Sequence, residues 1–242
     1  AVEGNLRAFE IGRWAVLHPA DAAKLTVGKA VEMPKSLDAR IAFRANHLVK
    51  YQGKRLARRY GRMLDGIMDP ALKEAVAKGY HKLLAYKDEY EVARLLLLSQ
   101  ARIAEQFEGD MKRTYHMAPP ILSRMGNDGR PVKRQFGEWI ETPLKLLTRL
   151  KGLRGTPFDI FGYSAERRME RALIKQYETD MAEVLKAPAC NREAAIALAE
   201  LPLSIRGFGP VKTANEVKAA KRREELLAAC RNPAKGLKQA AE

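Results

Sequence analysis

Residues 86–120 constrain the fold most strongly, because they are both the most apolar and the most acidic part of a basic chain. Their first half places apolar residues at helical spacing, at Tyr86, Tyr90, Ala93 and Leu97. Within it, Leu95 to Leu98 is apolar on every side of a helix, a pattern that requires other helices around it. We therefore expect this stretch to be the central packing element of a helical domain. No reaction can be derived from it.

The composition predicts an anionic partner. The chain has 242 residues, enough for one large domain or two small ones. Its 44 Lys and Arg exceed 29 Asp and Glu, giving a net charge of +15. Such a charge favours nucleic acid, a phosphate-bearing cofactor or an acidic protein as partner. A piece of a larger protein with an acidic neighbour would have the same charge, and the start at Ala1 rather than Met fits an excised piece.

The cysteine content limits the chemistry of the chain. Only Cys190 and Cys230 are present, and they form no Cys-x-x-Cys motif. This excludes a cysteine-ligated iron-sulfur cluster or zinc ribbon within the chain and disfavours a disulfide scaffold. The sequence has no signal peptide and no apolar run of about 18 residues, so we expect a cytoplasmic protein without membrane partners.

Helix signals divide the chain into three parts. A first helix runs from Asn5 to Leu17 and stops at His18-Pro19, and the aperiodic residues 26–34 resemble a linker. We predict that residues 1–34 are the end of a preceding domain and a linker. Residues 35–232 form a helical domain, and residues 233–242 are a frayed tail.

The main domain is predicted to be mainly α, a multi-helix orthogonal or bundle-like fold. Ser36 is the expected N-cap of one long helix that reaches Ile67. After the apolar stretch that begins at Tyr86, another short helix is expected to end near Gly109. The caps of later helices are expected at Asp69-Pro70, Ser164, Asn191 and Pro210. Alternation before the turn signal Asn127-Asp128-Gly129 predicts one small β-hairpin near 112–136.

No pattern of residues predicts a catalytic or metal site. The four histidines are far apart and lack helical ligand spacing, so we expect structural or surface roles for His18, His47, His81 and His116. Gly162-Tyr163-Ser164-Ala165-Glu166 begins like a nucleophile elbow but has Glu166 where Gly is required, and a helix cap explains Ser164. The carboxylates between Asp88 and Asp110 show no spacing that selects an acid/base pair.

Two features leave nucleic-acid binding open as the alternative function. The first is the basic flank from Arg40 to Arg62, which includes Tyr51. The second, residues 207–214, resembles the turn of helix-hairpin-helix modules, in which backbone amides hold a phosphate. Its Ala214 falls one residue later than that motif requires. A tight turn whose free amides accept any anion, or a basic face that docks on an acidic neighbour, is therefore favoured over nucleic acid.

Several motifs, in order along the chain, resemble the C-terminal domain of fused bacterial indolepyruvate ferredoxin oxidoreductases. They are Ala85 to Leu95, Gln106 to Asp110 with Tyr115 to Pro120, Arg149 to Pro157, Phe161 to Tyr163 with Glu166 to Arg171, and Ile205 to Gly209. Together they span roughly Ser36 to Cys230. Asn5 to Pro19 resembles the last helix of the preceding gamma-type domain in that family.

The resemblance implies a thiamine-diphosphate-dependent 2-oxoacid oxidoreductase that converts aryl pyruvates to acyl-coenzyme A. Such a parent enzyme would use Mg²⁺ and an iron-sulfur cluster, pass electrons to ferredoxin and form a homo-oligomer. The chain lacks the family's Gly-Asp-Gly thiamine element and enough cysteines for a cluster, so no cofactor and no catalytic residue is carried over. We expect an inactive structural or assembly module. Phosphate-bearing groups such as coenzyme A have three candidate contacts beside glycine loops, Lys151, Arg154 and Arg206.

Overall fold

The computed structural model describes residues 2–26, 34–106, 109, 112–119, 123–124, 126, 132–187, 190–207 and 210–231. The chain divides into two compact units, Ala1–Ser36 and Leu37–Glu242. The predicted turn Asn127-Asp128-Gly129 and the tail after Arg231 lie outside the described residues.

The first unit consists of two helices, α1 (Val2–Leu17) and α2 (Pro19–Thr26). The break between them falls where His18-Pro19 predicts it. The rings of Trp14 and His18 stack across the end of α1, with centroids 5.1 Å apart. No residue of α1 is buried within the described part of the chain.

The predicted long helix is in fact two helices, α3 (Leu37–Tyr51) and α4 (Lys54–Leu64). Gly53 separates them with φ 153°, a backbone conformation that residues with a Cβ rarely adopt. The amides of Gln52 and Gly53 both donate to the carbonyl oxygen of Leu48, which closes the end of α3. The single-helix prediction was wrong because both helices have apolar residues in one continuous period, and periodicity does not show a break at one glycine.

The central packing element is α5 (Pro70–Leu84), not the stretch 86–120. It packs against α3 and α4 and against two later helices, α8 (Ala165–Lys186) and α9 (Arg192–Glu200). The interior positions Val76, Ala77 and Tyr80 are fully buried. The expectation failed because close packing on several sides needs small residues, and α5 supplies these at Ala75, Ala77 and Gly79.

Three stacked tyrosines connect the helices of this core. The ring centroids of Tyr60 and Tyr80 lie 6.2 Å apart, and those of Tyr80 and Tyr177 lie 5.7 Å apart. Their hydroxyls donate to the carbonyl of Ala77, to Glu178 and to the carbonyl of Ala199, respectively. Burial raises the pKa of all three phenols, so they remain neutral donors. The stack thus joins α4, α5 and α8.

A smaller cluster forms around α6 (Glu89–Gln106) and α7 (Glu141–Arg149). Its buried members are Ala93, Tyr115, Phe136, Ile140 and Leu144. The predicted hairpin is confirmed here: β1 (Tyr115–Met117) pairs antiparallel with β2 (Arg134–Phe136). A 3-10 turn, Glu138–Ile140, leads into α7, and another, Leu150–Leu153, follows it. The fold is therefore mainly α with one small hairpin, as predicted.

Helix α6 differs from its prediction in two ways. It is continuous to Gln106, so the separate short helix expected to end near Gly109 is wrong where the structure describes it. It is also not enclosed on all sides, because Leu95 and Leu98 are 40% and 46% exposed. Only Ala93, Leu96 and Leu97 pack against the smaller cluster. The other face of α6 has no neighbour among the described residues that buries it.

Three of the predicted helix caps are confirmed, at Asp69, Ser164 and Asn191, while the predicted cap at Ser36 stays a prediction. The Asp69 carboxylate accepts the amide of Ala71 at 2.9 Å, and Ser164 Oγ accepts that of Arg167 at 3.2 Å. Asn191 Oδ1 accepts two amides at the start of α9. After a 3-10 turn, Leu201–Ser204, helix α10 (Pro210–Arg231) begins at the expected proline. Among the described helices, none is long and apolar enough to cross a membrane.

Gly79 provides a test of the α5–α9 packing. A methyl group at Gly79 would overlap the carbonyl oxygen of Ala199 and meet the Tyr177 hydroxyl at 3.1 Å. We expect Gly79→Ala to lower the free energy of unfolding by about 3 kcal/mol, measured by urea denaturation. The matched control is Gly61→Ala in α4, where a methyl group meets open space. It should raise stability by about 0.5–1 kcal/mol. Equal effects of both substitutions would contradict the close packing.

Candidate functional site

A cationic cleft lies between α4 and α8. Its volume is about 1040 Å³, and the loop after Gly152 closes one end. Eight lining residues are cationic: Lys54, Arg55, Arg59, Arg62, Arg154, Arg168, Arg171 and Lys175. None of the lining residues is an Asp or Glu. This cleft combines concave shape and one sign of charge, the arrangement that concentrates an anion.

Two helical rows supply most of these cations. On α4 they are Arg55, Arg59 and Arg62, and on α8 they are Arg168, Arg171 and Lys175. Both rows have residues three or four apart, which places each row on one face of its helix. The α4 row belongs to the basic flank recognised in the sequence. The α8 row was missed, although its spacing was a signal that could have been read.

Some of the cleft's cations have internal partners. Arg59 makes two hydrogen bonds to the Glu178 carboxylate, at 2.7 and 2.8 Å, and these raise the pKa of its guanidinium. Arg171 Nη2 donates to the Gly162 carbonyl at 2.5 Å. By contrast, six of the eight cations form no ion pair with any residue that the structure describes: Lys54, Arg55, Arg62, Arg168, Arg171 and Lys175. The cleft therefore has several positive charges available to a ligand.

Arg154 lies behind the cleft in a buried ion pair with Asp88. Both side chains are 3% exposed. Arg154 Nε and Nη2 donate to the two Asp88 oxygens at 2.5 and 2.8 Å, and Nη1 donates to the Tyr51 carbonyl at 2.8 Å. Its guanidinium also lies 3.7 Å from the centroid of the Tyr51 ring. Burial is the largest single influence and opposes the charge, but the hydrogen bonds to Asp88 together with the electrostatic effects of Asp88, Tyr51 and Tyr86 outweigh it, so the pKa of Arg154 is raised.

The three candidate contacts for a phosphate group are placed in different surroundings. Arg154 is engaged as described, and Lys151 Nζ donates to the Lys50 carbonyl at 2.7 Å, near the end of α3. Arg206 is exposed and lines a separate cleft, where its Nε donates to the Leu203 carbonyl at 2.8 Å. The structure therefore does not bring the three together. Their contact with coenzyme A stays a prediction, and calorimetric titration with coenzyme A is its test.

The hairpin-like turn before α10 has an acidic neighbour. Gly207 has φ 98°, as a tight turn requires, while Phe208 and Gly209 lie outside the described residues. Lys212 forms ion pairs with Glu170 and, at 3.9 Å, with Glu166. A phosphate at this turn would compete with those two carboxylates. Nucleic-acid binding here stays a prediction.

The structure pairs two of the histidines. His47 Nδ1 and His81 Nε2 are 3.0 Å apart, so one ring donates and the other accepts. His47 Nε2 also lies 3.9 Å from Glu91 Oε1. Burial, together with the neighbouring His47 and Arg44, lowers the pKa of His81 to about 4. The neutral pair is thus part of the packing between α3 and α5. No group of three or more His, Cys, Asp or Glu among the described residues is arranged to hold a metal ion.

The cysteines do not fit an iron-sulfur cluster. Cys190 and Cys230 belong to the apolar core and are free thiols. Burial, with the hydrogen bond between the two thiols, raises the pKa of Cys230 to about 12. A cluster requires about four thiolates, whereas this chain offers two thiols, one of them held protonated. No electron-transfer step is derived for these residues.

The buried ion pair can be tested against an exposed one. We expect Asp88→Asn to lower the free energy of unfolding by about 3–5 kcal/mol, because it leaves Arg154 charged and buried. The matched control is Glu183→Gln, which breaks the two-hydrogen-bond pair between Glu183 and the 64%-exposed Arg231. That change should cost far less, because water solvates both charges of an exposed pair and screens their attraction. Comparable losses in urea denaturation would contradict the assigned role of Asp88.

The histidine pair predicts a pH dependence of stability. The pKa of His81 is about 4 in the folded protein and 6.5 unperturbed. Between pH 6.5 and about pH 4, His81 binds protons more readily in the unfolded chain than in the folded protein. The stability of the fold therefore decreases as the pH falls through this range. The loss from His81 approaches about 3 kcal/mol near pH 4. Urea denaturation from pH 4.5 to 7 should show a shallower slope for His81→Gln, whereas the exposed control His116→Gln should keep the wild-type slope.

Comparison with known proteins gives a family for the chain. Residues 37–225 match a protein family described as a family of unknown function, DUF6537. No curated protein and no solved structure matches the chain. The matched range extends from the start of α3 into α10 and so includes both walls of the cationic cleft. The chain therefore belongs to the family DUF6537.

Proposed function

We propose that the chain is a non-catalytic helical module of a thiamine-diphosphate-dependent indolepyruvate:ferredoxin oxidoreductase, in which it supports the assembly of the catalytic domains. The ordered motifs that resemble the C-terminal domain of those enzymes support the identification. One structural observation carries the assembly role, namely the exposed apolar face of α6 and α7.

That face contains large side chains which the part of the chain that the structure describes does not bury. Leu95 and Leu98 of α6 are 40% and 46% exposed, and Leu146 of α7 is 56% exposed. Trp139, in the turn before α7, is 64% exposed. The sequence of α6 is that of a helix enclosed on all sides, whereas only one of its faces packs within the described chain. Exposed large apolar residues on adjacent helices are typical of an interaction surface. The occupant that we propose is another domain of the same oxidoreductase.

The residues of the resembling motifs act as a scaffold. The Asp88–Arg154 ion pair joins the motif that starts at Ala85 to the one that starts at Arg149. Arg171 donates to the Gly162 carbonyl within the next motif. Arg167 bonds to Glu170 and lies 3.6 Å from Glu89, which connects that motif back to the first. These polar residues connect the motifs to one another, and this supports a structural role for the module.

The cofactors, the electron acceptor, the reaction and the compartment follow from the proposed parent enzyme. Thiamine diphosphate, Mg²⁺ and the iron-sulfur cluster would be held by its other domains, and ferredoxin would bind the assembled enzyme. The reaction would be the oxidative decarboxylation of aryl pyruvates to acyl-coenzyme A, in a cytoplasmic homo-oligomer. This chain would contribute no reacting group.

The test mixes the purified chain with the separately expressed thiamine-binding domains of the proposed oxidoreductase. We expect the two to co-elute in size-exclusion chromatography, and the chain alone to show no 2-oxoacid oxidation with an artificial electron acceptor. Leu95→Glu with Leu98→Glu should abolish co-elution, because two buried carboxylates would be left unpaired at the interface.

The matched control is Met68→Glu, a similar change at a residue that is 90% exposed between α4 and α5. It should leave co-elution intact, and circular dichroism should show that all variants are folded. Oxidation by the chain alone, or co-elution that the α6 variant does not weaken, would contradict the proposal.

A further inference from the structure

We propose that the cationic cleft binds a small organic diphosphate, of the class of nucleoside diphosphates, with its phosphates between α4 and α8 and its ring on the apolar floor. The proposal concerns a surface distinct from the exposed face of α6 and α7, and it does not depend on the oxidoreductase assignment. It rests on four features of the cleft.

The first feature is the convergence of charges from opposite walls. Arg62 on α4 and Arg168 and Lys175 on α8 line the same cleft and have no ionic partner among the described residues. Like charges held close together repel one another, and an anion between them removes that repulsion. Arginine suits phosphate particularly well, since its planar fork makes two parallel hydrogen bonds to a phosphate group.

The second feature is a donor that lacks an acceptor. Arg171 lines the cleft, and its Nη2 donates to the Gly162 carbonyl. Its Nη1 atom is buried and has no hydrogen-bond partner within the described part of the protein. A buried donor without an acceptor is costly, so native proteins usually provide one. A phosphate oxygen in the cleft would supply the missing acceptor.

The third feature is the open start of α4. Gly53 is its N-cap and offers no side-chain acceptor to the first amides of the helix. Gln52, Gly53 and Lys54 all line the cleft. The first amides of a helix and its dipole favour an anion at that end. This end adds to the arginine rows and does not define the site alone.

The fourth feature is the apolar part of the lining, which argues for an organic ligand. Leu84 and Ile174 are buried, Leu56 and Tyr86 are partly exposed, and all four line the cleft. An inorganic anion would leave the exposed parts of Leu56 and Tyr86 in water, whereas a ligand with a ring would cover them. Ligand sites usually combine such an apolar surface with a few placed polar groups.

The geometry favours a small ligand over nucleic acid. The unpaired cations face one another across a cleft of about 1040 Å³. That volume is close to the upper end for small-molecule sites, roughly 1000 Å³. A nucleic-acid strand requires a groove that follows its backbone over several nucleotides. A small ligand enclosed between the two walls would contact more of these cations than a nucleic-acid strand would.

Isothermal titration calorimetry of the full chain at low salt tests the proposal. ADP, inorganic pyrophosphate and adenosine serve as probes. We expect saturable one-to-one binding of ADP, weaker binding of pyrophosphate because it does not use the floor, and no binding of adenosine. Arg168→Gln and Lys175→Gln should each weaken ADP binding by about tenfold, because each removes a charged contact.

The matched control is Arg58→Gln. Arg58 is exposed on α4 but lies outside the cleft, on a shallow groove beside Asp65. This substitution removes the same charge and should leave ADP affinity within about twofold, because Arg58 does not line the cleft and would make no direct contact with the ligand. Urea denaturation of each variant verifies that the fold is intact.

Three results would overturn the proposal. The first is that ADP does not bind at millimolar concentration. The second is that the control Arg58→Gln weakens ADP binding as much as the cleft variants do. The third is that a single-stranded RNA oligonucleotide or an acidic peptide binds more tightly than ADP and loses affinity in Arg168→Gln. None of these measurements involves the catalytic domains, so they fail or succeed separately from the co-elution experiment.

Discussion

The buried ion pair between Asp88 and Arg154 joins segments that are far apart in the sequence. Asp88 precedes α6, Arg154 follows the 3-10 turn after α7, and the same guanidinium holds the Tyr51 carbonyl at the end of α3. A charged pair in the interior is stable only when each partner satisfies the other. Three segments from separate parts of the chain are thereby held in one place, at the back of the cationic cleft.

This arrangement explains how a chain of net charge +15 forms a compact interior. Several of its acidic residues are internal partners for arginine, as in Asp88–Arg154, Glu178–Arg59 and Asp180–Arg223. The remaining cations are left at the surface, and several of them line the cleft between α4 and α8. Eight of the 44 Lys and Arg thus line one cleft that contains no Asp or Glu.

The two proposals use different surfaces of one scaffold. The apolar face of α6 and α7 belongs to the smaller cluster, which contains the hairpin. The cationic cleft belongs to the larger cluster, between α4 and α8. A few residues of the resembling motifs, such as Asp88, Arg154 and Arg167, form ion pairs between distant segments. A module that docks by one face and holds a phosphate-bearing ligand at another is compatible with this arrangement.

The sequence by itself determined the features that depend on neighbouring residues. The caps at Asp69, Ser164 and Asn191, the start of α10 and the hairpin were all predictable, because a cap needs only an acceptor a few residues before free amides. The mainly α class followed from the helical spacing of apolar residues along the chain. Two local features were missed. The break at Gly53 was missed because a glycine that permits a turn does not require one. The continuity of α6 to Gln106 was missed as well.

Only the tertiary structure decided which elements meet. Arg59 and Glu178 are 119 residues apart, and Asp88 and Arg154 are 66 apart. No local pattern selects these partners from 44 Lys and Arg and 29 Asp and Glu. The central position of α5 and the opposition of the arginine rows on α4 and α8 likewise result from packing between distant helices. The caps are fixed by contacts within one turn of helix, whereas the cleft is fixed by contacts across the whole domain.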